Sequence, residues 1–281
     1  MQPFLASRLK IGRAAQHVAI LRGEVAAFMA RRPIYSLVEP HPENETLWAW
    51  AVRIKEAVPP TWAPIIGDVI HNLRASLDLM ACDVVRIADP TAPLDNVYFP
   101  FAKRAEELDA MIERRMAGAP KEAHDLVRQM KPYPGGNDVL RGVHELDIID
   151  KHQALLPVAG HIRSPNGGGV TSGELLAGTE PTSGFFDPRN HPAATLGVSA
   201  VDFRLVFPNQ GPFEGRELLP TIEDLIKDFA GVVDAFETLS LGTVAEPLTN
   251  VMSLREFEMI TGLPEGMYQF GTFGRPADGE G

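Results

Sequence analysis

The chain has 281 residues, of which 44% are hydrophobic and 22% are charged, and it carries a formal net charge of −11. These proportions are those of an ordinary globular protein, and they exclude a disordered chain and a collagen-like repeat. One cysteine excludes a disulfide-stapled scaffold, the acidic excess disfavours a protein that coats nucleic acid, and the longest apolar runs are too short to span a bilayer.

The same features predict where the protein works. Cys82 cannot form an intramolecular disulfide, and the first residues lack the continuous apolar segment of a signal peptide. We therefore expect a cytoplasmic protein without membrane contact. Residues 1–32 hold six Arg and Lys against Glu24 alone, and we interpret them as a first helix with a basic outer face.

The first half of the chain has mainly helical periodicity, interrupted by one hairpin pattern. Two runs rich in β-branched and aromatic residues, 34–38 and 47–54, flank a turn-forming segment and predict a β-hairpin. The spacing of apolar residues predicts the helices, and Pro or Asp residues mark their ends. The predicted helices span residues 5–31, 61–87, 103–116, 121–130 and 138–152, with Thr61 and Asp138 as predicted caps.

The second half carries Gly and Pro throughout before it ends in a strongly patterned helix. Residues 155–162, 170–176 and 201–207 are typical of strands, and 163–169 and 180–195 of flexible loops. Residues 216–241 follow a 4-3 apolar spacing over three heptads, which predicts a helix packed against other helices, either in the same chain or as a homodimer seam. Its stripe is Leu218, Ile222, Leu225, Phe229, Val232, Phe236 and Leu239, and its opposite, solvated side holds Glu223, Lys227, Asp234 and Glu237.

Together these elements predict an α+β fold. We expect a bundle of about four main helices, 5–31, 61–87, 138–152 and 216–241, beside a small, mostly antiparallel β-sheet from residues 34–56 and 155–207. Because the last helix would complete a bundle begun by the first, we predict a single domain over residues 1–267 and a flexible tail over 268–281.

The predicted helix 61–87 carries polar side chains beside its apolar face. His71 and Asp78 are seven residues apart and so lie almost above one another, and Arg74 projects between them and the apolar stripe. This pattern is typical either of a solvated polar face or of a second, buried interface with a His–Arg–Asp cluster. The apolar face itself consists of Ile66, Val69, Leu73, Leu77, Met80 and Val84.

The predicted helix 138–152 places a carboxylate in its apolar face. Asp150 follows the apolar residues Val139, Val143 and Leu146 on that face, and a carboxylate buried there needs a cation or several donors. We therefore predict that Arg74 contacts Asp150 or Asp147, unless Asp150 ends the helix at the surface. Asp147 and Lys151 form an i,i+4 pair, and His144 lies one turn before Asp147.

Four motifs in this order carry a resemblance. They are GDxxHNLRxxLD over 67–78, Phe99-Pro100, Lys131-Pro132-Tyr133 and HELDxxDKH over 144–152. Together they resemble a family of uncharacterised bacterial proteins of similar length, and the matched part covers roughly residues 60–157. That family implies no activity that can be transferred to this chain.

The family's central helix often has Arg followed, after four intervening residues, by His. That spacing is similar to the active-site motif of the HEPN ribonucleases, which are helical bundles that cut RNA without a metal, so the resemblance implies RNA as a partner. In this chain Leu79 stands where the His would be, and Arg74 alone cannot act as a general acid or base. The candidate catalytic residues are His71, Arg74, Asp78, His144, Asp147, Asp150 and Lys151.

A metal-dependent hydrolase is the main alternative, because His and Asp side chains on facing helices suit Zn, Mn or Fe. The candidate ligands are His71, His144, Asp150 and His152, although Arg74 beside them would repel a cation. A third class is a non-enzymatic scaffold in which the polar cluster only fixes helix register. The sequence leaves these three classes open, does not decide whether the protein is an enzyme, and names no cofactor.

Overall fold

The computed structural model describes residues 2–152, 159–163, 170–173, 183–190, 196–207 and 211–242. All of these residues belong to one unit of the chain, Met1–Thr243. The predicted domain end at residue 267 and the predicted tail over 268–281 lie outside the described residues.

The described helices lie where the apolar spacing predicts them. They are α1 (Leu5–Ala30), α2 (Trp62–Ala88), α3 (Leu108–Arg115), α4 (Lys121–Met130), α5 (Asp138–His152) and α6 (Leu218–Leu241). α3 is shorter than predicted, because a 3₁₀ turn over Ala105–Glu107 precedes it. Asn137, and not Asp138, caps α5: its Oδ1 accepts a hydrogen bond from the Leu140 amide at 3.0 Å.

The described strands pair only in the antiparallel sense, so the predicted α+β class is confirmed. They are β1 (Ile34–Pro40), β2 (Trp48–Ile54), β3 (Ala159–Arg163), β4 (Val170–Gly173), β5 (Ser183–Phe186), β6 (Gly197–Ala200) and β7 (Asp202–Val206). The predicted hairpin β1–β2 forms the centre of a sheet with the order β5-β2-β1-β6, and a second sheet has the order β4-β3-β7.

Two short strands are missing from the sequence prediction. β5 lies inside residues 180–195, which the Gly and Pro content assigned to a flexible loop, and β6 follows directly after that segment. Each has only four residues and contains Gly, which is depleted in strands, so local propensity does not identify it. Their hydrogen-bond partners lie on β2 and β1, more than a hundred residues away in the chain, so tertiary pairing decides their conformation.

The long helix α2 is the centre of the bundle, because α1, α5 and α6 all pack against it. At the start of α2, the Trp62 ring meets the Phe28 ring of α1 edge to face, with 5.3 Å between centroids. Burial of side chains of this size stabilises a fold by about 1.5–3 kcal/mol each. The predicted apolar face of α2 is confirmed, since Ile66, Val69, Leu73, Leu77, Met80 and Val84 are all buried.

α6 completes the bundle by packing on both α1 and α2, but its buried stripe differs from the prediction. Val233 is fully buried where the 4-3 spacing predicted Val232, which is half-buried, and Leu239 is 38% exposed. A straight α-helix has 3.6 residues per turn and drifts away from a 3.5-residue repeat, so the face shifts by one position after two heptads. The buried residues are Leu218, Ile222, Leu225, Phe229, Val233 and Phe236.

Most of the basic residues in 1–32 are exposed, as predicted, but Arg8 at the start of α1 is an exception. Arg8 is buried and contacts two residues from the side of α6 that was predicted to be solvated. Its guanidinium donates to Glu237 through Nε at 2.9 Å and to Asp234 through Nη2 at 2.7 Å. Arg22 of α1, which is exposed, also forms an ion pair with Glu223 of α6. These ion pairs join the first helix to the last.

Candidate functional site

The predicted polar residues meet in three contacts between α2 and α5. Gly67 touches Asp150, His71 touches Asp147, and Arg74 touches His144. The residue numbers rise along α2 as they fall along α5, so the two helices run antiparallel. The steps of three and four residues place all three contacts on one face of each helix. We call this set the α2–α5 polar seam.

The middle contact joins a buried carboxylate to a solvent-facing imidazole. His71 Nδ1 lies 3.1 Å from Asp147 Oδ1, and the His71 side chain is 44% exposed whereas that of Asp147 is 7% exposed. Lys151 Nζ donates to the other oxygen, Asp147 Oδ2, at 2.7 Å, which confirms the predicted i,i+4 pair. Because the carboxylate of Asp147 accepts a hydrogen bond from the Nδ1–H group, the Nε2 atom of His71 is the one that can exchange protons with a solvent molecule or a ligand.

In the neighbouring contact of the seam, Arg74 is surrounded by His144, Asp78 and Phe101. Arg74 Nε donates to His144 Nδ1 at 3.1 Å, and Arg74 Nη1 lies 2.5 Å from Asp78 Oδ1 of the following helical turn. The Phe101 ring lies parallel to the His144 ring with 4.3 Å between centroids, and the Arg74 guanidinium sits 4.6 Å from the Phe101 centroid. Asp78 Oδ1 also accepts a hydrogen bond from the Phe99 amide at 3.0 Å. This cluster attaches the 97–102 segment to both helices.

These surroundings keep His144 neutral. Burial, followed by the positive charges of Arg74 and Arg141, lowers the pKa of His144 from 6.5 to about 4. A base that weak is unprotonated at neutral pH, which matches its function here as a hydrogen-bond acceptor for Arg74.

The third contact has no hydrogen bond but an unusually close approach. A methyl group at Gly67 would lie 2.5 Å from Asp150 Oδ1 and 2.7 Å from both Cγ and Oδ2, so the carboxyl rests directly on the α2 backbone. Desolvation, and then the negative charges of Asp147 and Asp68, raise the pKa of Asp150. Asp150 is half-buried. It is therefore neither fully buried in the apolar face of α5 nor fully exposed at the end of the helix.

The predicted contact of Arg74 with Asp147 or Asp150 is wrong. The Arg74 guanidinium instead contacts Asp78 and His144. The Asp147 carboxylate contacts His71 and Lys151. The prediction failed because it treated Arg74 as unmatched on its own helix, although Asp78 stands at i+4. Of the two interpretations of α2, the buried interface describes Arg74, whereas His71 is half-exposed.

Two residues of the candidate site, Phe101 and Gly67, were not predicted from the sequence. Phe101 follows the Phe99-Pro100 motif, but nothing in that motif identifies a ring that stacks on a histidine 43 residues later. Gly67 had a usable signal: a glycine inside a helix costs about 1 kcal/mol relative to alanine, so its presence suggests a close approach.

The candidate metal ligands do not converge in the part of the chain that the structure describes. No group of three or more His, Cys, Asp or Glu side chains there is arranged to hold an ion. His71 contacts Asp147, His144 contacts Arg74, and Asp150 rests on Gly67. His152 is the last residue of α5, and its side chain lies outside the described part.

No family model matches the chain, and no curated protein or solved structure is significantly similar to it. Among the helices that the structure describes, none has the length and apolar content to cross a membrane. The geometry of the α2–α5 polar seam is therefore the main basis for assigning a function.

Proposed function

We propose that this protein is a metal-independent acid–base catalyst of the HEPN-like class, with RNA as its substrate and His71 as its proton-transfer residue. The single observation that supports the proposal is the contact of the half-exposed His71 with the buried Asp147 at 3.1 Å. A buried carboxylate that orients one ring nitrogen and leaves the other toward solvent is the arrangement of a general base. RNA as the substrate rests on the motif resemblance.

The proposed chemistry is phosphodiester transfer within the RNA strand. Nε2 of His71 accepts the proton of a ribose 2′-hydroxyl, whose oxygen attacks phosphorus as the bond to the 5′-oxygen breaks. The imidazolium, stabilised by Asp147, then returns the proton to the departing 5′-oxygen, so protons and charge balance. Lys151, which is 43% exposed beside Asp147, supplies positive charge for the phosphate.

Arg74, Asp78 and His144 support the site in this proposal without touching the substrate. Arg74 is buried against Phe101, His144 and Asp78. The residue that would complete the HEPN spacing is Leu79, so His71 on the same helix takes the acid–base function. The single thiol, Cys82, suits a reducing compartment, and we propose the cytoplasm of a bacterium as the location.

The test is RNA cleavage by the purified chain in excess chelator. We expect cleavage by the natural protein and a loss of at least 100-fold in His71→Gln, since general acid–base groups contribute about 10²–10⁴-fold. His41→Gln, a histidine on the β1–β2 hairpin, is the matched control and should keep full activity. No cleavage, together with no RNA binding at low salt, would contradict the proposal.

Two arms of that experiment address the other classes. Activity that appears only after Zn²⁺, Mn²⁺ or Fe²⁺ is added back, with stoichiometric metal in the purified protein, would favour the metal-dependent hydrolase. The scaffold class is favoured by one observation: the contacts of Arg74 are all internal to the protein. An inactive chain that loses several kcal/mol of stability when the polar seam is mutated would support that class.

A further inference from the structure

We infer that Gly67 is a positioning residue of the candidate site, because the Asp150 carboxyl rests on it and thereby sets the separation of α2 and α5 at which Asp147 reaches His71. The inference rests on the function proposed for His71 and Asp147. It adds a residue that makes no hydrogen bond to either of them.

The space beside Gly67 is too small for a side chain. All three carboxyl atoms of Asp150 lie within 2.7 Å of the place where a Cβ at residue 67 would be. Contacts between a carbon and another heavy atom are favourable at about 3.5–4.0 Å. No residue other than glycine therefore fits at position 67 while Asp150 stays where it is.

The Asp150 side chain has few ways to avoid such a Cβ. It has two torsions, and rotation about the second leaves Cγ in place, which is itself 2.7 Å from the added carbon. The first torsion has only two common values in a helix. A larger residue at position 67 has to switch that first torsion or push α5 away from α2, and we expect the second.

The consequence for His71 follows from helix geometry. Gly67 and His71 are one turn apart on α2, and Asp150 and Asp147 are one turn apart on α5, so the two contacts are neighbours along the polar seam. A displacement at the first is transmitted to the second with little attenuation because each helix is rigid over one turn. A hydrogen bond of 3.1 Å is lost when its atoms separate by about half an ångström.

The chain offers a matched control. Gly231 is also an internal helix glycine, on α6, and a Cβ built there meets nothing within 4 Å. Gly231→Ala therefore changes the same atoms without a clash, and it should stabilise its helix because alanine has the higher helix propensity. The rescue variant is Gly67→Ala combined with Asp150→Ala, which removes the carboxyl that opposes the new methyl group.

The experiment measures the His71 hydrogen bond directly by NMR of ¹⁵N-histidine-labelled protein, with His71→Gln to assign the resonance. We expect the natural chain and Gly231→Ala to show His71 protonated at Nδ1 and bonded to a carboxylate. Gly67→Ala should lose that signature and lower the unfolding midpoint by a few degrees, and the double variant should regain the signature. RNA cleavage, where present, should fall on the order of 10- to 100-fold in Gly67→Ala.

The outcomes separate the two proposals. An unchanged His71 signature in Gly67→Ala, or none regained in the double variant, overturns the positioning function, whatever the activity on RNA. The expected NMR pattern in a chain that does not cleave RNA supports the positioning function and contradicts the proposed reaction. If Gly67→Ala does not fold, a folded double variant with the signature supports the inference, and an unfolded one overturns it.

Discussion

Arg74 donates a hydrogen bond from Nε to Nδ1 of His144 at 3.1 Å. A guanidinium has no lone pair to offer, so Nδ1 must be the acceptor and the proton of the neutral imidazole is on Nε2. Protonation of His144 would set two donors against each other. The pair therefore gives a pH-dependent element to the contact between α2 and α5.

We expect His144 to titrate at about pH 4, because burial and the charge of Arg74 lower its pKa from 6.5. Arg74→Met keeps much of the side-chain volume and removes the charge, so it should raise the His144 midpoint. Arg104→Met, at an exposed arginine, should leave the midpoint unchanged. NMR titration of the His144 ring protons measures both, and a His144 midpoint near 6.5 in the natural chain would contradict the assignment.

The lowered pKa also predicts how stability depends on pH. Between pH 6.5 and about 4 the unfolded chain binds a proton at His144 that the folded chain does not. The contribution of His144 to the free energy of unfolding is therefore fully present above pH 6.5 and is lost as the pH falls toward 4. We expect a loss on the order of 1–2 kcal/mol after allowance for solvent screening. Urea unfolding of the natural chain and of His144→Gln, at pH 7 and pH 4.5, isolates this contribution, and equal pH dependence in both chains would contradict it.

Arg74→Ala should destabilise the fold by about 3–5 kcal/mol, because it leaves a partly buried Asp78 without its cation and removes packing from Phe101. Arg104→Ala breaks an exposed pair with Glu107 and should leave the free energy of unfolding nearly unchanged. Chemical unfolding measures both free energies. A cost below about 1 kcal/mol for Arg74→Ala would show that the arginine is effectively solvated.

Truncations along α6 should follow the observed buried face and not the heptad spacing. Phe229 has no exposed surface, and Phe229→Ala should cost about 3–5 kcal/mol. Val233→Ala should cost about 2 kcal/mol and more than Val232→Ala, and Leu239→Ala should cost little. If Val232→Ala proved the more damaging of the two valine variants, the 3.6-residue face would be wrong.

Deletion of residues 216–241 tests whether α6 belongs to the domain core or only joins two copies. Because α6 packs on α1 and α2, we expect the shortened chain to unfold or aggregate. Circular dichroism and sedimentation measure the result. A shortened chain that stays folded and changes from dimer to monomer would instead support the predicted homodimer seam.

Leu79→His should create or raise RNA cleavage in the presence of chelator, since it restores a general acid–base residue five positions after Arg74. Leu239→His, at an exposed position on α6, is the matched control and should not change activity. Cleavage rates on a labelled RNA measure both. Equal rates for Leu79→His and the natural chain would contradict the HEPN-like spacing as a source of activity.

Local patterns were sufficient to predict the helices and the central hairpin. The apolar face of α2 follows from the spacing of its apolar residues, and the boundaries of α4 follow from the residues at its two ends. Both are local features of the sequence. The i,i+4 pair of Asp147 and Lys151 was also predictable, because a helix brings those positions together whatever surrounds it.

Contacts between residues far apart in the chain required the tertiary structure. The pairing of Arg74 with His144 and that of His71 with Asp147 depend on the antiparallel register of α2 and α5, which no local pattern encodes. The stacking of Phe101 on His144 likewise depends on how a distant segment packs against α5. The strands β5 and β6 exist through hydrogen bonds to a distant hairpin. Periodicity shows which side of a helix is apolar, but the meeting of two helices at Gly67 and Asp150 is decided by three-dimensional packing, in which one missing Cβ sets their separation.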